Sequence, residues 1–353
     1  VRASPLARST FAVYLLLVVY ASLYPLSGWR DQGLSAFAYV FAPPPPYVTV
    51  FDVIANLAGY VPYGFFCVLA LQPRLPGRAA LGTAVASGAL LSLSLEAAQS
   101  FLPARIASNL DVLCNLCGTL AGAALATRLA PWLLGTGLLK RLRATAFLPG
   151  ATADVGLLLL ALWLFTQLNP AMLLFGAGDL RDLLAAPGGA PYAPELFVSV
   201  EALTSAANLV AAAMLLSAIV APGSRVRVMV LALVLIALVV KAVAFAILLR
   251  AEHVLAWLTP GAWQGLVVGL AAALAAVALP RATRLVLAAM LLMMATVLVN
   301  LAPPNPYLAA SLTVWQQGHF LNFNGLTRLV SSAWPFAALG YLTWLASRRG
   351  ALG

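Results

Sequence analysis

Three short polar sets interrupt an otherwise apolar sequence, and their spacing is helical. Asp52, Asn56, Gly59 and Tyr63 stand at i, i+4, i+7 and i+11. Ser92, Glu96 and Gln99 stand at i, i+4 and i+7, and Asp111, Asn115, Gly118 and Gly122 repeat the first pattern. On an α-helix each set forms one narrow stripe. Three carboxylates among amides are the side chains that would hold a divalent cation or an ammonium group. Arg105, between the second and third sets, is suited to phosphate or carboxylate. A bound cation could also support transfer or hydrolysis on a lipid-linked substrate. No nucleophile is identifiable, so whether the chain is an enzyme stays open, as does any cofactor, and no residue is assigned to a resident metal. Blander roles stand beside these. Asp52 and Asp111 can act as first-turn caps worth about 0.3–1 kcal/mol. Glu96 and Arg105 can form a structural ion pair. Asn56 and Asn115 can bridge helices, with Gly118 and Gly122 as a close-packing face.

The elements that carry these stripes belong in a membrane. Of 353 residues, 63% are hydrophobic and 8% charged, against about 25% charged in a soluble domain. Mean hydropathy is +0.98. The apolar residues fall in runs of about 20, the length of a membrane-crossing helix. The reading is an all-α, polytopic transmembrane helix bundle of about ten spans, near 10–27, 50–71, 79–101, 109–130, 152–175, 199–220, 226–249, 254–279, 283–302 and 326–347. The first run follows Arg2 and Arg8 as a signal sequence would, but it is long enough to remain as an anchor.

Charge orients the spans. Fourteen Lys and Arg fall in the N-terminal segment, alternate loops and the C-terminus, among them Arg74, Arg78, Lys140, Arg141, Arg225, Arg227, Arg281 and Arg348. Four fall in the other loops: Arg30, Arg105, Arg181 and Arg250. The bias puts both termini in the cytoplasm. The net charge of +10 then reports topology and anionic headgroups rather than nucleic acid. With this orientation Asp52 and Asp111 open their helices from outside, Asn56 and Asn115 lie about 6 Å deeper, and Glu96 and Gln99 lie within about 8 Å of the outer end of theirs. Arg105 sits in the outer turn. The polar set therefore gathers in the outer third of the bilayer.

The order Asp52-x3-Asn56-x2-Gly59-x2-Pro62-x-Gly64, Glu96-x2-Gln99, Arg105 and Ser108-x2-Asp111-x3-Asn115-x2-Gly118 resembles the VanZ-like family over about residues 11–127. The resemblance implies a small integral membrane protein with a cell-envelope theme. One member is linked to low-level resistance to the glycopeptide teicoplanin, but no reaction follows from the family. The chain then reads as a four-helix VanZ-like domain (1–130), a basic cytoplasmic connector (131–150) and a six-helix extension (151–353). Three long outer loops carry Arg30-Asp31 with Pro46-Tyr47, Arg181-Asp182 with Pro191-Tyr192, and Pro306-Tyr307, so the extension reads as a diverged repeat. The 43–46 run reads as polyproline II, and 33–41 and 307–315 as short interfacial helices.

In the extension Glu201, Ser205 and Asn208 form another stripe. Lys241 is nearly level with Asn208 and could reach towards Glu201. Arg328, near Asn322 and Asn324, could bind a phosphate or snorkel to the interface. Cys67, Cys114 and Cys117 read as core packing. The function this supports is a bacterial inner-membrane protein whose candidate pocket (Asp52, Asn56, Glu96, Gln99, Arg105, Asp111 and Asn115) binds or modifies a lipid-linked or phosphate-bearing envelope ligand. Glu201, Asn208, Lys241 and Arg328 are secondary candidates. The alternatives are a secondary transporter or flippase, and a non-catalytic structural membrane protein.

Overall fold

A computed structural model describes residues 4–33, 35–43, 48–181, 193–248, 254–303, 305–307 and 321–348. Among them it is a helical membrane bundle. Eight helices are long and apolar enough to cross a bilayer, and two shorter apolar helices, Ala151–Thr166 and Pro260–Ala276, accompany them. The chain divides into two compact units, Val1–Ala144 and Thr145–Gly353.

The first unit holds α1 (Pro5–Leu23), α2 (Val50–Leu71), α3 (Gly77–Gln99), α4 (Asn109–Ala130) and most of α5 (Leu138–Ala146), whose last two residues fall in the second. Local chemistry fixes the helix starts. Ser4 caps α1 ahead of Pro5 at the first helical position. The Thr49 hydroxyl accepts from the Asp52 amide, and the Asp52 carboxylate reaches back to the Thr49 amide, a reciprocal capping box. Ser108 caps α4 through the Leu110 and Asp111 amides. α2 and α4 approach backbone to backbone. A Cβ on Gly118 would collide with the Leu57 carbonyl, and one on Gly122 with that of Val61, so the small-residue face read from the sequence is real. The 131–150 stretch, read as a plain connector, contains a π-helical turn at Pro131–Thr136 and then α5. Its alternation of leucines with Lys140, Arg141 and Arg143 suits an amphipathic helix.

The second unit holds α6 (Ala151–Thr166), α7 (Pro194–Ile219), α8 (Val226–Leu248), α9 (Pro260–Ala276), α10 (Arg281–Leu301) and α11 (Leu321–Ser347). α7 is central, with an unbroken buried run from Ala207 to Ile219, as expected of a helix that is apolar all round. α9 presents Gly261, Gly265 and Gly269 to the α7 backbone at Val198, Ala202 and Ala206. α11 packs on α6 through Trp334, whose indole donates to the Leu159 carbonyl (2.7 Å), and through Tyr341 to Thr152 (2.6 Å).

Two spans are shorter than the sequence reading by six residues or more at one end, while α1, α7 and α11 each begin five residues earlier than read. The 152–175 span ends at Thr166, because Pro170 lacks an amide donor and disfavours helix at the preceding Asn169. The apolar run 171–175 continues as irregular, mostly buried chain. The 254–279 span begins only at Pro260, where Thr259 caps the Ala262 amide. Residues 38–41 form a 3-10 turn. The proline run, the 307–315 segment and most of the repeat markers (Pro46-Tyr47, Asp182, Pro191-Tyr192) fall largely or wholly outside the described residues.

Candidate functional site

The polar residues of the first unit collect where α3 ends and α2 and α4 begin. Glu96 is buried on α3, and its Oε2 accepts from the Ser108 amide at 2.8 Å. The α4 cap is thus tied to α3. Gln99, also buried, donates to the Ser22 carbonyl near the end of α1 (2.9 Å). Arg105 does not pair with Glu96 as one sequence reading had it. Its Nε donates to the Tyr24 carbonyl (3.1 Å) and its Nη2 to that of Ala21 (2.9 Å). A guanidinium there satisfies orphan carbonyls and complements the negative end of the α1 dipole. Burial draws the Arg105 pKa below its ordinary value, while Glu96 and Asp111 pull it back up. It stays charged at any working pH.

Asn115 is buried and donates to Ser92 Oγ at 2.9 Å, while its Oδ1 has no partner. The buried Tyr60 hydroxyl points towards Ser92 without closing a hydrogen bond. These groups form a buried floor. Above them Asp52, Asn56, Arg105 and Asp111 are half-buried. Asn56 faces the Asp111 carboxylate, and the charges of Asp52 and Arg105 act on it as well. All seven residues of the candidate pocket therefore meet at one end of the first unit. Their tasks divide. Gln99 and Arg105 tether α1, Glu96 holds the α4 cap, and Asp52 belongs to a capping box.

Two participants escaped the sequence reading. Tyr60 lies one turn beyond Asn56 on the same stripe, so its position was legible. Tyr39, from the 38–41 turn, donates to the Leu93 carbonyl (2.9 Å). Burial raises its pKa, with a smaller push from the Glu96 charge. No spacing rule marks a loop tyrosine of this kind. The three acids do not assemble a metal cage: among the described residues no group of three His, Cys, Asp or Glu could hold an ion. Cys67 and Cys114 are buried free thiols, and Cys117 is exposed.

Residues 11–131 match the VanZ/LLP1 family model. The VanZ-like segment thus covers about a third of the chain, and it contains the whole polar end just described. No curated protein and no solved structure matches the chain.

The secondary candidates lie in the second unit, outside the VanZ-like segment. Lys241 is 1% exposed and donates to the carbonyls of Asn169 (2.8 Å) and Met172 (2.7 Å). Glu201 is 2% exposed and accepts from Thr259 Oγ1 at 2.6 Å. Asn208 donates to the Thr204 carbonyl, and its Oδ1 is unpartnered. Arg328 is half-buried and its charge acts on Asp179, so it is drawn into the protein. Asp179 itself chelates Arg181 (2.6 Å). Burial raises its pKa, but the hydrogen bonds and charge of Arg181 outweigh that and hold it below the usual carboxylate range.

Proposed function

We propose that the VanZ-like segment is a receptor for a polar headgroup that carries an ammonium, with or without a phosphate, at the outer leaflet of a bacterial cytoplasmic membrane. One observation carries the reading: the half-buried Asp52 and Asp111 face each other's charge above a floor that offers the unpartnered Asn115 Oδ1. Two neighbouring carboxylates repel unless a proton or cation is shared between them, and beside Asp111 the Arg105 charge offsets that of Asp52 only in part. An ammonium supplies that charge with three donors, which suits two carboxylates and one amide oxygen. Arg105 spends Nε and Nη2 on α1, so Nη1 is the atom that would meet a phosphate.

On this reading residues 1–130 are the ligand-binding domain, 131–150 a basic connector on the cytoplasmic face and 151–353 a membrane extension. Both termini are cytoplasmic, and altered glycopeptide tolerance is the expected phenotype. The direct test is lipid retention in nanodiscs that contain ethanolamine-headgroup and glycerol-headgroup phospholipids. The purified protein should enrich the ethanolamine lipid, and Asp52→Asn/Asp111→Asn should lose at least about tenfold of that preference, the equivalent of about one charge-assisted hydrogen bond. Equal retention by the two proteins would contradict the reading.

A transporter is the second reading, because irregular backbone runs through the interior of the second unit at 167–181. It requires movement of a labelled lipid between leaflets in proteoliposomes.

A further inference from the structure

The second unit contains polar groups that the outer headgroup site does not use. Glu201 and Lys241 lie on α7 and α8, which are joined by a short turn at 220–225. Counted back from that turn at 1.5 Å per residue, Lys241 is about 22 Å along α8 and Ser205 about 21 Å along α7, with Glu201 one helical turn beyond. Among the described residues no hydrogen bond or ion pair joins the two directly, since Lys241 donates to Asn169 and Met172 and Glu201 accepts from Thr259, but each lies within reach of the other's charge.

Their hydrogen-bond inventories are incomplete in a specific way. The Lys241 nitrogen makes two bonds, to the carbonyls of Asn169 and Met172, and lies 5.6 Å from the centre of the Phe245 ring. A neutral amine has two N–H groups and one lone pair, whereas an ammonium has a third N–H to place. Glu201 receives the Thr259 hydroxyl and lies against the first turn of α9, where a Cβ on Gly261 would come within 2.6 Å of its Oε2. That helix start favours the anion, and burial favours the acid. Beside Glu201 on α7, Thr204 and Ser205 are fully buried with unpartnered hydroxyls, and the Asn208 Oδ1 is unpartnered two turns along. Buried polar atoms without partners are rare and call for a role.

Lys241 also grips an unusual segment. Residues 167–178 are irregular and mostly buried. Phe175 has a left-handed φ of 60°, its amide donates to Gln167 Oε1, and its carbonyl accepts from Trp163. A bulky residue in that region needs its surroundings to hold it.

We propose that Glu201 and Lys241 are a membrane-buried proton-exchange pair that latches the 167–178 segment, with the Thr204 and Ser205 hydroxyls as relay groups. In the exchange a proton leaves the Lys241 ammonium, which becomes an amine, and binds the Glu201 carboxylate, which becomes an acid. Net charge is unchanged and no co-reactant is needed. The ammonium form grips Asn169 and Met172 with charge-assisted bonds about twice as strong as those of the amine, so the position of the proton sets the strength of the latch.

Infrared spectroscopy of the full-length protein in lipid tests this. Wild type should show a buried carboxylic-acid C=O band that Glu201→Gln removes. Lys241→Arg should also remove it, because arginine cannot surrender its proton. Lys241→Met should keep it, since the acid is then alone in an apolar interior. Amide exchange across 169–176 should run about tenfold faster in Lys241→Met than in Lys241→Arg, on the scale of losing charged hydrogen bonds. A wild-type spectrum without the Glu201 band would mean a fixed ion pair and overturn the proposal. So would an undiminished band in Lys241→Arg, or equal exchange in the two lysine variants. If Lys241→Arg does not fold, the wild-type and Glu201→Gln spectra with the Lys241→Met exchange still decide it.

Discussion

Substitution of Gly122 by alanine adds one methyl at the closest approach in the first unit. The new Cβ would overlap the Val61 carbonyl oxygen, with the Val61 carbonyl carbon at 2.8 Å and the Phe65 amide nitrogen at 3.0 Å. All three are backbone atoms, so no side chain can turn aside. α2 and α4 must separate by about an ångström to restore ordinary contact distance. The separation loosens their packing and pulls Asn56 and Asp52 away from Asp111. Overpacking of this kind costs about 1–3 kcal/mol. It is offset by the gain of about 0.5–1 kcal/mol from replacing a helix-interior glycine. A net loss of about 1–2 kcal/mol is expected. Gly82→Ala is the control, since a Cβ there meets nothing within 4 Å, and it should stabilise the protein by the propensity gain alone. Unfolding of detergent-solubilised protein by titration with a denaturing detergent, followed by tryptophan fluorescence, measures both. Equal stability of the two variants would refute the close α2–α4 contact on which the site geometry depends.

Other perturbations follow from the same contacts. Arg105→Met removes two hydrogen bonds to the end of α1 and should cost about 2–4 kcal/mol in that unfolding assay, while Arg105→Lys should recover part of it. Asp179 has its folded pKa below the unfolded value. Its contribution to stability is therefore full above about pH 5 and is lost as pH falls through and below the ordinary carboxylate range near 4. Asp179→Asn should flatten that part of the stability–pH curve, and an unchanged curve would show that the Arg181 chelate is not formed. Reporter fusions placed within 128–150 and 221–227 should both report cytoplasm, and an external signal at either would reverse the orientation assigned to the site.

How much of this was legible depended on whether chain chemistry or tertiary contact made the decision. α2 and α4 begin at the positions read from the sequence because Thr49 with Asp52, and Ser108 with Asp111, are local caps. The face of Gly118 and Gly122 was visible for the same reason: small residues at i and i+4 have few other uses in an apolar helix. The end of α6 was misread because the apolar run at 171–175 outweighed Pro170. The start of α9 was misread because apolar residues at 254–258 masked the Thr259-Pro260 signal. The gathering of the seven polar residues followed from stripe and depth arithmetic, but their partners did not. That Arg105 would serve α1 carbonyls, and that Lys241 would serve Asn169 and Met172, depends on where an irregular chain passes. Tyr39 was invisible for that reason also.

An ammonium-bearing headgroup held at the polar end of the VanZ-like segment should stay with the protein through purification. Mass spectrometry of the lipids retained by purified protein, wild type beside Asp52→Asn/Asp111→Asn, tests it most directly. An amine-headgroup lipid should be bound to wild type and depleted at least about tenfold in the variant, with folding unchanged. The same lipids in the same amounts on both proteins would contradict it and return the seven residues to caps and tethers.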